Sequence, residues 1–289
     1  MPTPRLSLSR PAAAVADRSA LDRLPPAGPS HDDVRGYSRA RRNLLPRAEH
    51  VTAVAGGWAH EAVLRSGATV DAVLWCPGER PYPALEATAA AVARTAGGAV
   101  RISERTLARV HPGLTAPALL SVVRLPRWPS SRLQTAANGL VLVADGIEYA
   151  GNLGTLIRTA DACAVEALVL TRGTARVTHP KAFAASRGTV LTTPVLEYAE
   201  VADARADLAA AGFTTYVADP AGATSYRDAG LGSGRTAVVV GSESEGVAEE
   251  WRTGLTRVSI PMRGRADSLN VATSAAVLLF EARGPLDRR

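Results

Sequence analysis

Apolar residues fall into two patterns along this chain. Short continuous apolar runs are typical of strands buried on both faces of a parallel sheet, whereas apolar residues repeated every three or four positions are typical of amphipathic helices. The two patterns alternate over residues 34–126 and predict a small α/β domain there. The predicted strands are 69–75, 99–103 and 118–126, and the predicted helices are 35–44, 56–67, 83–97 and 103–110.

The alternation resumes in residues 140–289. The predicted strands are 140–146, 167–171, 189–197, 214–219, 236–241 and 257–262, and the predicted helices are 154–164, 180–187, 201–211, 247–255 and 269–283. We therefore predict a second α/β domain with a parallel sheet covered by helices. The ligands of such sheets bind outside the carboxyl ends of the strands.

In two other stretches the apolar residues show no regular spacing. Residues 1–33 are rich in Pro, Ala, Ser and Arg and are interpreted as a disordered leader, and the polar stretch 127–139 is interpreted as a linker. The net charge is +6, and residues 1–47 hold nine arginines against four aspartates, an excess of five. Such a basic leader is expected of a protein that binds a polyanion, although a solvated tail has the same composition.

Cysteine content limits the class of protein. Cys76 and Cys163 are too few for a disulfide framework or a zinc site, so we predict no metal and a reducing, cytoplasmic compartment. No apolar run approaches the roughly 18–20 residues of a membrane span. The first residues also lack the apolar core of a signal peptide.

Three strand-to-helix turns carry the candidate chemistry, and the first covers residues 145–162. Gly151 and Gly154 loosen this turn, Asn152 is suited to cap the following helix, and Arg158 lies one turn into that helix. The alternative interpretation is a capped helix that carries a surface arginine.

The second turn, residues 241–251, begins at the end of an apolar strand. Gly241 permits an unusual backbone angle or the close approach of a ligand. Glu243 and Glu245 would repel a phosphate, so the turn does not fit a phosphate-binding loop. A cationic ligand, or one rich in hydroxyl donors, fits better. Glu245 is also interpreted as an acid that stabilises the start of the next helix.

The third turn, residues 260–281, leads from the last predicted strand into the last predicted helix. Ser268 is interpreted as the N-cap of that helix, and Asn270 lies in its first turn.

In order, the three turns read N-x-G-x-x-x-R-x-A, G-S-E-x-x-G-V and I-P-M-x-G-x-x-x-S-L-N-V-x-x-x-A-x-x-x-x-F-E. They resemble the motifs of the SPOUT superfamily of methyltransferases, and in particular its SpoU (TrmH-type) branch, which methylates ribose 2′-hydroxyls in RNA. The stretch V-A-D-G-I-E-Y-A-G-N-L-G is also similar to the thiostrepton-resistance group of that branch. Tyr149 and Ala150 stand where most of the branch has Asp-Pro.

The resemblance implies a C-terminal trefoil knot in residues 140–289. It also implies that residues 34–126 form a small, L30e-like RNA-recognition domain. S-adenosylmethionine would bind in a pocket that the knot gathers. Backbone groups of Gly241, Ile260 and Leu269 would hold this cofactor, and the same pocket would be lined by Met262, Ala218, Asp219 and Pro220.

The resemblance further implies a catalytic set. In members of the branch, the arginine that matches Arg158 acts on the reacting hydroxyl, in some of them as a general base. Because arginine keeps its proton in proteins, we interpret Arg158 as an orienting cation rather than a general base. The surrounding polar network would be formed by Asn152, Glu243, Ser268 and Asn270, and Glu243 could hold Arg158 or Asn152 in place.

The predicted function is therefore methyl transfer from S-adenosylmethionine to an RNA ribose 2′-hydroxyl by a homodimer. Arg39, Arg41 and Arg42, with the basic leader, suit an RNA phosphate backbone. We favour 23S rRNA as the substrate, with antibiotic resistance as one hypothesis for the role. The alternatives are a tRNA methyltransferase, a small-molecule methyltransferase and a catalytically inactive RNA-binding protein. A dinucleotide-dependent oxidoreductase is disfavoured, because neither G-I-E-Y-A-G nor G-S-E-S-E-G matches G-x-G-x-x-G.

Overall fold

The computed structural model describes residues 18–134, 139–242 and 244–287. The chain divides into two compact units. The first comprises Met1–Arg42 and Ala53–Val123, and the second comprises Asn43–Thr52 and Arg124–Arg289. Residues 1–17 of the predicted leader, and Glu243 of the predicted catalytic set, lie outside the described residues.

The first unit is built on a five-stranded sheet. Its strands are β1 (Pro26–Ala27), β2 (Val51–Ala55), β3 (Val70–Cys76), β4 (Ala99–Ile102) and β5 (Ala118–Arg124). Its helices are α1 (Arg18–Asp22), α2 (Asp32–Arg41), α3 (Gly57–Ser66), α4 (Pro83–Thr95) and α5 (Glu104–Val110). The strand order is β1-β4-β3-β5-β2, in which β4 pairs parallel with β1 and β3, and β5 pairs antiparallel with β3.

The predicted disorder of residues 1–33 is wrong for the part of the leader that the structure describes. Helix α1 contacts α4, and Leu21 on α1 is only 1% exposed. Strand β1 extends the sheet by pairing with β4, where Pro26 lies opposite Arg101. A proline is tolerated on an edge strand, because its missing N–H faces away from the ladder. Two residues are too few to show any period in the sequence.

The second unit is built on a seven-stranded sheet. Its strands are β6 (Leu140–Asp145), β7 (Ala167–Thr171), β8 (Val195–Tyr198), β9 (Thr214–Ala218), β10 (Thr224–Ser225), β11 (Thr236–Gly241) and β12 (Thr256–Ser259). Its helices are α6 (Ala150–Ala162), α7 (Pro180–Ala185), α8 (Val201–Ala210), α9 (Glu249–Arg252) and α10 (Val271–Asp287). The predicted α/β class with a parallel sheet is confirmed.

The order of the second sheet is β10-β12-β9-β11-β6-β7-β8, and the neighbouring strands pair in parallel. The carboxyl ends of the strands therefore meet at one edge. At that edge Gly241 of β11 lies directly opposite Asp145 of β6. The chain passes from β6 through β7 to β8 on one side of β11, and returns to β9 and β12 on its other side. Ligand sites of parallel sheets form where the order reverses in this way.

Three predicted segments of the second unit differ in the structure. Residues 189–197 are not one strand, because Gly188 has a φ of +84° and starts a short 3₁₀ turn, so that β8 begins only at Val195. The helix predicted at 247–255 is limited to α9, since Ala248 is still extended and Gly254 has a φ of +74°.

The third difference concerns the predicted linker, 127–139. A 3₁₀ turn spans Ser130–Gln134, and its Leu133 is buried in the core of the second unit beside Val141 and Trp251. Trp128 packs against the same core. The described part of this segment is therefore part of the second unit. Among the helices of the described ranges, none has the length and apolarity required to cross a lipid bilayer.

Candidate functional site

The ends of β9, β11 and β12 and the start of α10 surround one cavity of the second unit. Three separate turns of the chain contribute to it: the turn after β9, the turn after β11, and the segment between β12 and α10. The predicted residues that line this cavity are Ala218, Asp219, Pro220, Gly241, Ile260, Met262, Ser268 and Leu269. All seven residues predicted to bind the cofactor are thus brought together, and Ser268 of the predicted catalytic set is with them.

The turn after β11 folds back over the end of its own strand. A Cβ atom on Gly241 would overlap the backbone of Gly246 and Val247. Ser242 and Gly246 form an isolated bridge, in which the Gly246 N–H donates to the Ser242 carbonyl at 3.0 Å. The expectation that Gly241 gives space to a ligand therefore requires correction, because the chain itself occupies that space. Among the described residues of this turn, Gly246 is left-handed, with a φ of +69°.

Glu245 does not stand at a helix start, contrary to its interpretation from the sequence. It is exposed, and its backbone N–H donates to the Ser242 hydroxyl at 3.1 Å. Helix α9 begins at Glu249, and the acids of its first turn are Glu249 and Glu250. Glu245 thus belongs to the folded-back turn.

Asp145 holds this turn against the sheet, and its role was not predicted. Its carboxylate is fully buried at the end of β6. Arg172 donates to both of its oxygens, at 3.0 and 2.8 Å, and the Thr171 hydroxyl donates at 2.8 Å. The backbone N–H of Ala248 donates to the same carboxylate at 2.7 Å. The hydrogen bond to Asp145 raises the pKa of the Arg172 guanidinium. The sequence feature that could have indicated this role is an aspartate at the end of an apolar strand.

Asp219 has a similar role in the turn after β9. The Arg257 Nε donates to its carboxylate at 2.9 Å, and a second Arg257 nitrogen forms an ion pair with the same oxygen at 2.8 Å. The Ala221 N–H donates to the other oxygen at 2.9 Å. The Asp219 side chain is therefore committed to holding its own turn. Its backbone remains at the cavity wall.

The lining of the cavity is apolar and acidic. Val240, Val247 and Leu269 contribute apolar surface, and the charged residues of the lining are Asp219 and Asp267. Among the described residues that line it, none is an arginine or a lysine. Such a wall favours a neutral or cationic ligand over a phosphate.

The predicted residues Asn152 and Asn270 contact each other. The Asn270 side-chain amide donates to Oδ1 of Asn152 at 3.3 Å. Asn270 also caps α10, because its Oδ1 accepts from the Ala272 N–H at 3.0 Å. The predicted N-cap role of Ser268 is therefore wrong. Asn152 is not the cap of α6 either, since that helix already begins at Ala150.

Comparison with known proteins identifies the family of a domain in the second unit. Residues 139–280 match the model of the SpoU rRNA Methylase family. Residues 139–280 form a SpoU methylase domain. The predicted resemblance to the SpoU branch is confirmed.

Two curated proteins illustrate the similarity of the SpoU domain to its relatives. The chain is 35% identical over 158 residues to the 23S rRNA (guanosine(2553)-2′-O)-methyltransferase RlmP of Bacillus subtilis, covering 54% of this chain and 62% of that protein. It is 31% identical over 172 residues to the 23S rRNA (uridine(2479)-2′-O)-methyltransferase of Streptomyces viridochromogenes, covering 57% and 60%. These alignments thus span about three fifths of the relatives' own length.

Solved structures extend the similarity over more of the chain. The SpoU methyltransferase AviRb from Streptomyces viridochromogenes, in complex with the cofactor AdoMet, is similar with a TM-score of 0.75 at 26% identity, covering 88% of this chain and 97% of AviRb. An RNA 2′-O ribose methyltransferase is similar with a TM-score of 0.71 at 27% identity, covering 91% of this chain and 99% of that one.

The SpoU domain does not bring Arg158 into the cavity lining. Arg158 is exposed on α6, six residues after Asn152. At 3.6 residues per turn this separation places the two about 120° apart around the helix. Ser268 lines the cavity, and Asn152 and Asn270 form a pair, so the predicted catalytic residues occupy three separate positions.

The predicted RNA-binding arginines lie at the end of α2 in the first unit. Arg39 and Arg42 are exposed, and Arg42 donates to the Ser38 carbonyl at 3.2 Å. Arg41 is half-buried, and its charge lowers the pKa of nearby His111 in addition to the larger effect of burial. In the described residues no cluster of three or more His, Cys, Asp or Glu side chains could hold a metal ion.

Proposed function

We propose that this protein transfers a methyl group from S-adenosylmethionine to a ribose 2′-hydroxyl of RNA, with 23S rRNA as the preferred substrate. One observation carries the proposal: a single cavity gathers two of the three turns whose sequence resembles the SpoU motifs, those after β11 and after β12, together with the turn after β9. The names of the two 23S rRNA methyltransferases support the choice of rRNA. The proposed compartment is the cytoplasm, where rRNA is available.

The cavity residues fit S-adenosylmethionine. The apolar side chains of Ile260, Met262 and Leu269 suit an adenosine, and the backbone at the strand ends offers hydrogen-bond partners. The lining includes Asp267 and, among its described residues, no basic side chain, which suits a sulfonium cation. When bound, this cofactor supplies an electrophilic methyl group. We propose that Gly241, Ile260 and Leu269 hold it, with Met262 and residues 218–220 at the wall.

The remaining predicted residues would act on the RNA. We propose that Arg158 orients the ribose and stabilises the negative charge that develops on its 2′-oxygen, because a guanidinium donates hydrogen bonds without losing its proton. The Asn152–Asn270 pair, joined at 3.3 Å, would position the nucleotide beside Ser268. Correct positioning alone can supply a large part of the rate of such a transfer. Glu243 keeps its proposed role as a brace for this network.

A homodimer is part of the proposal. Arg158 is exposed and lies outside the cavity lining, so it is accessible to a second subunit as well as to RNA. Tyr149, at the start of the same helix, is 66% exposed, and Phe280 on α10 is 58% exposed. We further propose that the segment from β11 to α10 forms the trefoil knot of the SPOUT superfamily. The first unit, with Arg39, Arg41 and Arg42, would be the L30e-like RNA-recognition domain.

Tritiated methyl transfer tests this function. The full chain is incubated with S-adenosylmethionine labelled in the methyl group and with 23S rRNA, 16S rRNA or tRNA. We expect label in the 23S fraction, mapped to one nucleotide by primer extension at low dNTP concentration. Label in tRNA would instead support the alternative substrate. Absence of label in every fraction, with S-adenosylmethionine bound, would refute the proposal and favour an inactive RNA-binding protein.

A further inference from the structure

Another cavity of the second unit lies beside β8, and its residues are all different from those of the cavity described above. It has a volume of about 290 Å³. The segment 43–52, the segment after β5 and the loop after β7 form its walls. We call it the arginine cavity, after Arg47, Arg127 and Arg176, which line it together with Trp128, Thr178 and Glu197.

The arginine cavity carries a positive charge. Its three guanidinium groups face one carboxylate, Glu197, which lies 3.9 Å from Arg47. A hydrogen bond with His50 lowers the pKa of Glu197, and the charges of Arg47 and Arg127 add to the effect, so this carboxylate is ionised. The excess of two positive charges remains, and an anion would relieve the repulsion between the arginines. Burial, followed by the charge of Arg47, already lowers the pKa of Arg176.

Three residues that line the cavity each have a buried donor without a partner among the described residues. The Trp128 Nε1, the Arg176 Nε and the Thr178 Oγ1 are buried and have no hydrogen-bond partner among the described residues. Thr178 is only 5% exposed. Buried donors without acceptors are rare, because each one loses its hydrogen bonds to water. Tryptophan and arginine can only donate, so a ligand that satisfies all three must bring several acceptor atoms.

An anion with several acceptor oxygens and a charge near −1 meets both requirements. We propose that the arginine cavity binds a phosphate group of the RNA backbone, at a place separate from the ribose that is methylated. This inference rests on the proposed function, because its ligand is the same RNA. Phosphate contacts fix the register of a nucleic acid on a protein without reading its bases. The cavity would thus position the RNA.

Thr178→Val tests the cavity with little change of shape. Thr193 provides a matched control, because its Oγ1 is also buried without a partner among the described residues and it does not line the cavity. We expect both variants to melt like the wild type. Thr178→Val should raise the KM for a 23S rRNA transcript about 10-fold, the effect of one lost hydrogen bond to a charged group. Its kcat and its affinity for S-adenosylmethionine should not change.

Arg176→Gln tests the charge of the cavity. Arg227→Gln is the control, since Arg227 is exposed on the same unit and outside the cavity. We expect Arg176→Gln to weaken RNA binding about 10-fold and to reduce the slope of log K against log salt by about 1, as the loss of one phosphate contact does. The control should keep both the affinity and the slope.

A direct measurement on the full chain separates this inference from the proposed function. The indole N–H resonance of Trp128 is assigned with Trp128→Phe in ¹⁵N-labelled protein and followed during titration with the 23S transcript and with inorganic phosphate. A shift with RNA supports the inference even if no methyl transfer is found. A shift with phosphate but not with RNA overturns it. Active enzyme in which Thr178→Val and Thr193→Val have equal KM values also overturns it and leaves the proposed function intact.

Discussion

Replacing Asp145 with asparagine tests how the turn after β11 is held at the edge of the sheet. Each oxygen of the fully buried Asp145 carboxylate accepts two hydrogen bonds: one oxygen accepts from Thr171 and Arg172, and the other from Arg172 and Ala248. An asparagine has the same shape, but one of its two terminal groups is an NH₂ donor. In either orientation of the amide, that donor would face an Arg172 donor, beside the Ala248 N–H or the Thr171 hydroxyl, and the negative charge opposite Arg172 would be lost.

The magnitude follows from the burial of the carboxylate. Arg172 is 35% exposed, so water can solvate its guanidinium, and the main cost is that of buried donors left without an acceptor, about 1–3 kcal/mol. We expect Asp145→Asn to reduce the free energy of unfolding by about this amount. Because Gly246 and Val247 line the cavity and Ala248 is bonded to Asp145, the affinity for S-adenosylmethionine should fall as well.

Urea unfolding of the variants, with calorimetry of S-adenosylmethionine binding, gives both quantities. Glu61→Gln is the control: its exposed pair with Arg65, at 3.8 Å, should contribute less than about 0.5 kcal/mol. A loss for Asp145→Asn below about 0.5 kcal/mol, no larger than that of the control, would refute the reasoning.

Three further predictions concern other positions. Gly241→Ala should destabilise the protein by about 1–3 kcal/mol and abolish S-adenosylmethionine binding by calorimetry, because the new Cβ overlaps the Gly246 backbone; unchanged binding would contradict this account of the turn. Arg158→Ala should abolish methyl transfer while S-adenosylmethionine still binds, since Arg158 is outside the cavity lining; loss of cofactor binding in a folded variant would argue against that division of roles. Burial lowers the pKa of His60 from 6.5 to about 4, partly opposed by its hydrogen bond to Gly56. The contribution of neutral His60 to the free energy of unfolding is complete above pH 6.5 and should decline by about 3 kcal/mol as the pH falls to 4. Urea unfolding at each pH should show this decline in the wild type and not in His60→Gln.

The sequence predicted the long buried strands well, because a continuous apolar run has few other uses. Strands β6, β7 and β11 begin and end within a residue of their predicted limits. The failures include the apolar strand β2, for which no strand was predicted, and short elements that depend on tertiary contacts. Strands β1 and β10 have two residues each, and they exist only because β4 and β12 supply their hydrogen bonds.

The candidate site also combines features that the sequence predicted with features that it did not. The family resemblance assigned seven residues to the cofactor, and all seven line the cavity beside others that it did not assign, such as Val247 and Asp267. It did not predict why Gly241 must be a glycine, because the close approach of Gly246 comes from the fold of the loop. Nor did it predict the roles of Asp145 and Thr178. Residues distant in the chain determine that Asp145 has its partners and that the Thr178 hydroxyl has none among the described residues.

Mass spectrometry of digested RNA tests the central proposal most directly. The 23S transcript is incubated with the full chain and with S-adenosylmethionine that carries a deuterated methyl group, and its nucleosides are then separated. We predict one nucleoside whose label is on the ribose fragment, with none formed by Arg158→Ala. Label on a base fragment, or no labelled nucleoside from an enzyme that binds S-adenosylmethionine, would contradict the proposal.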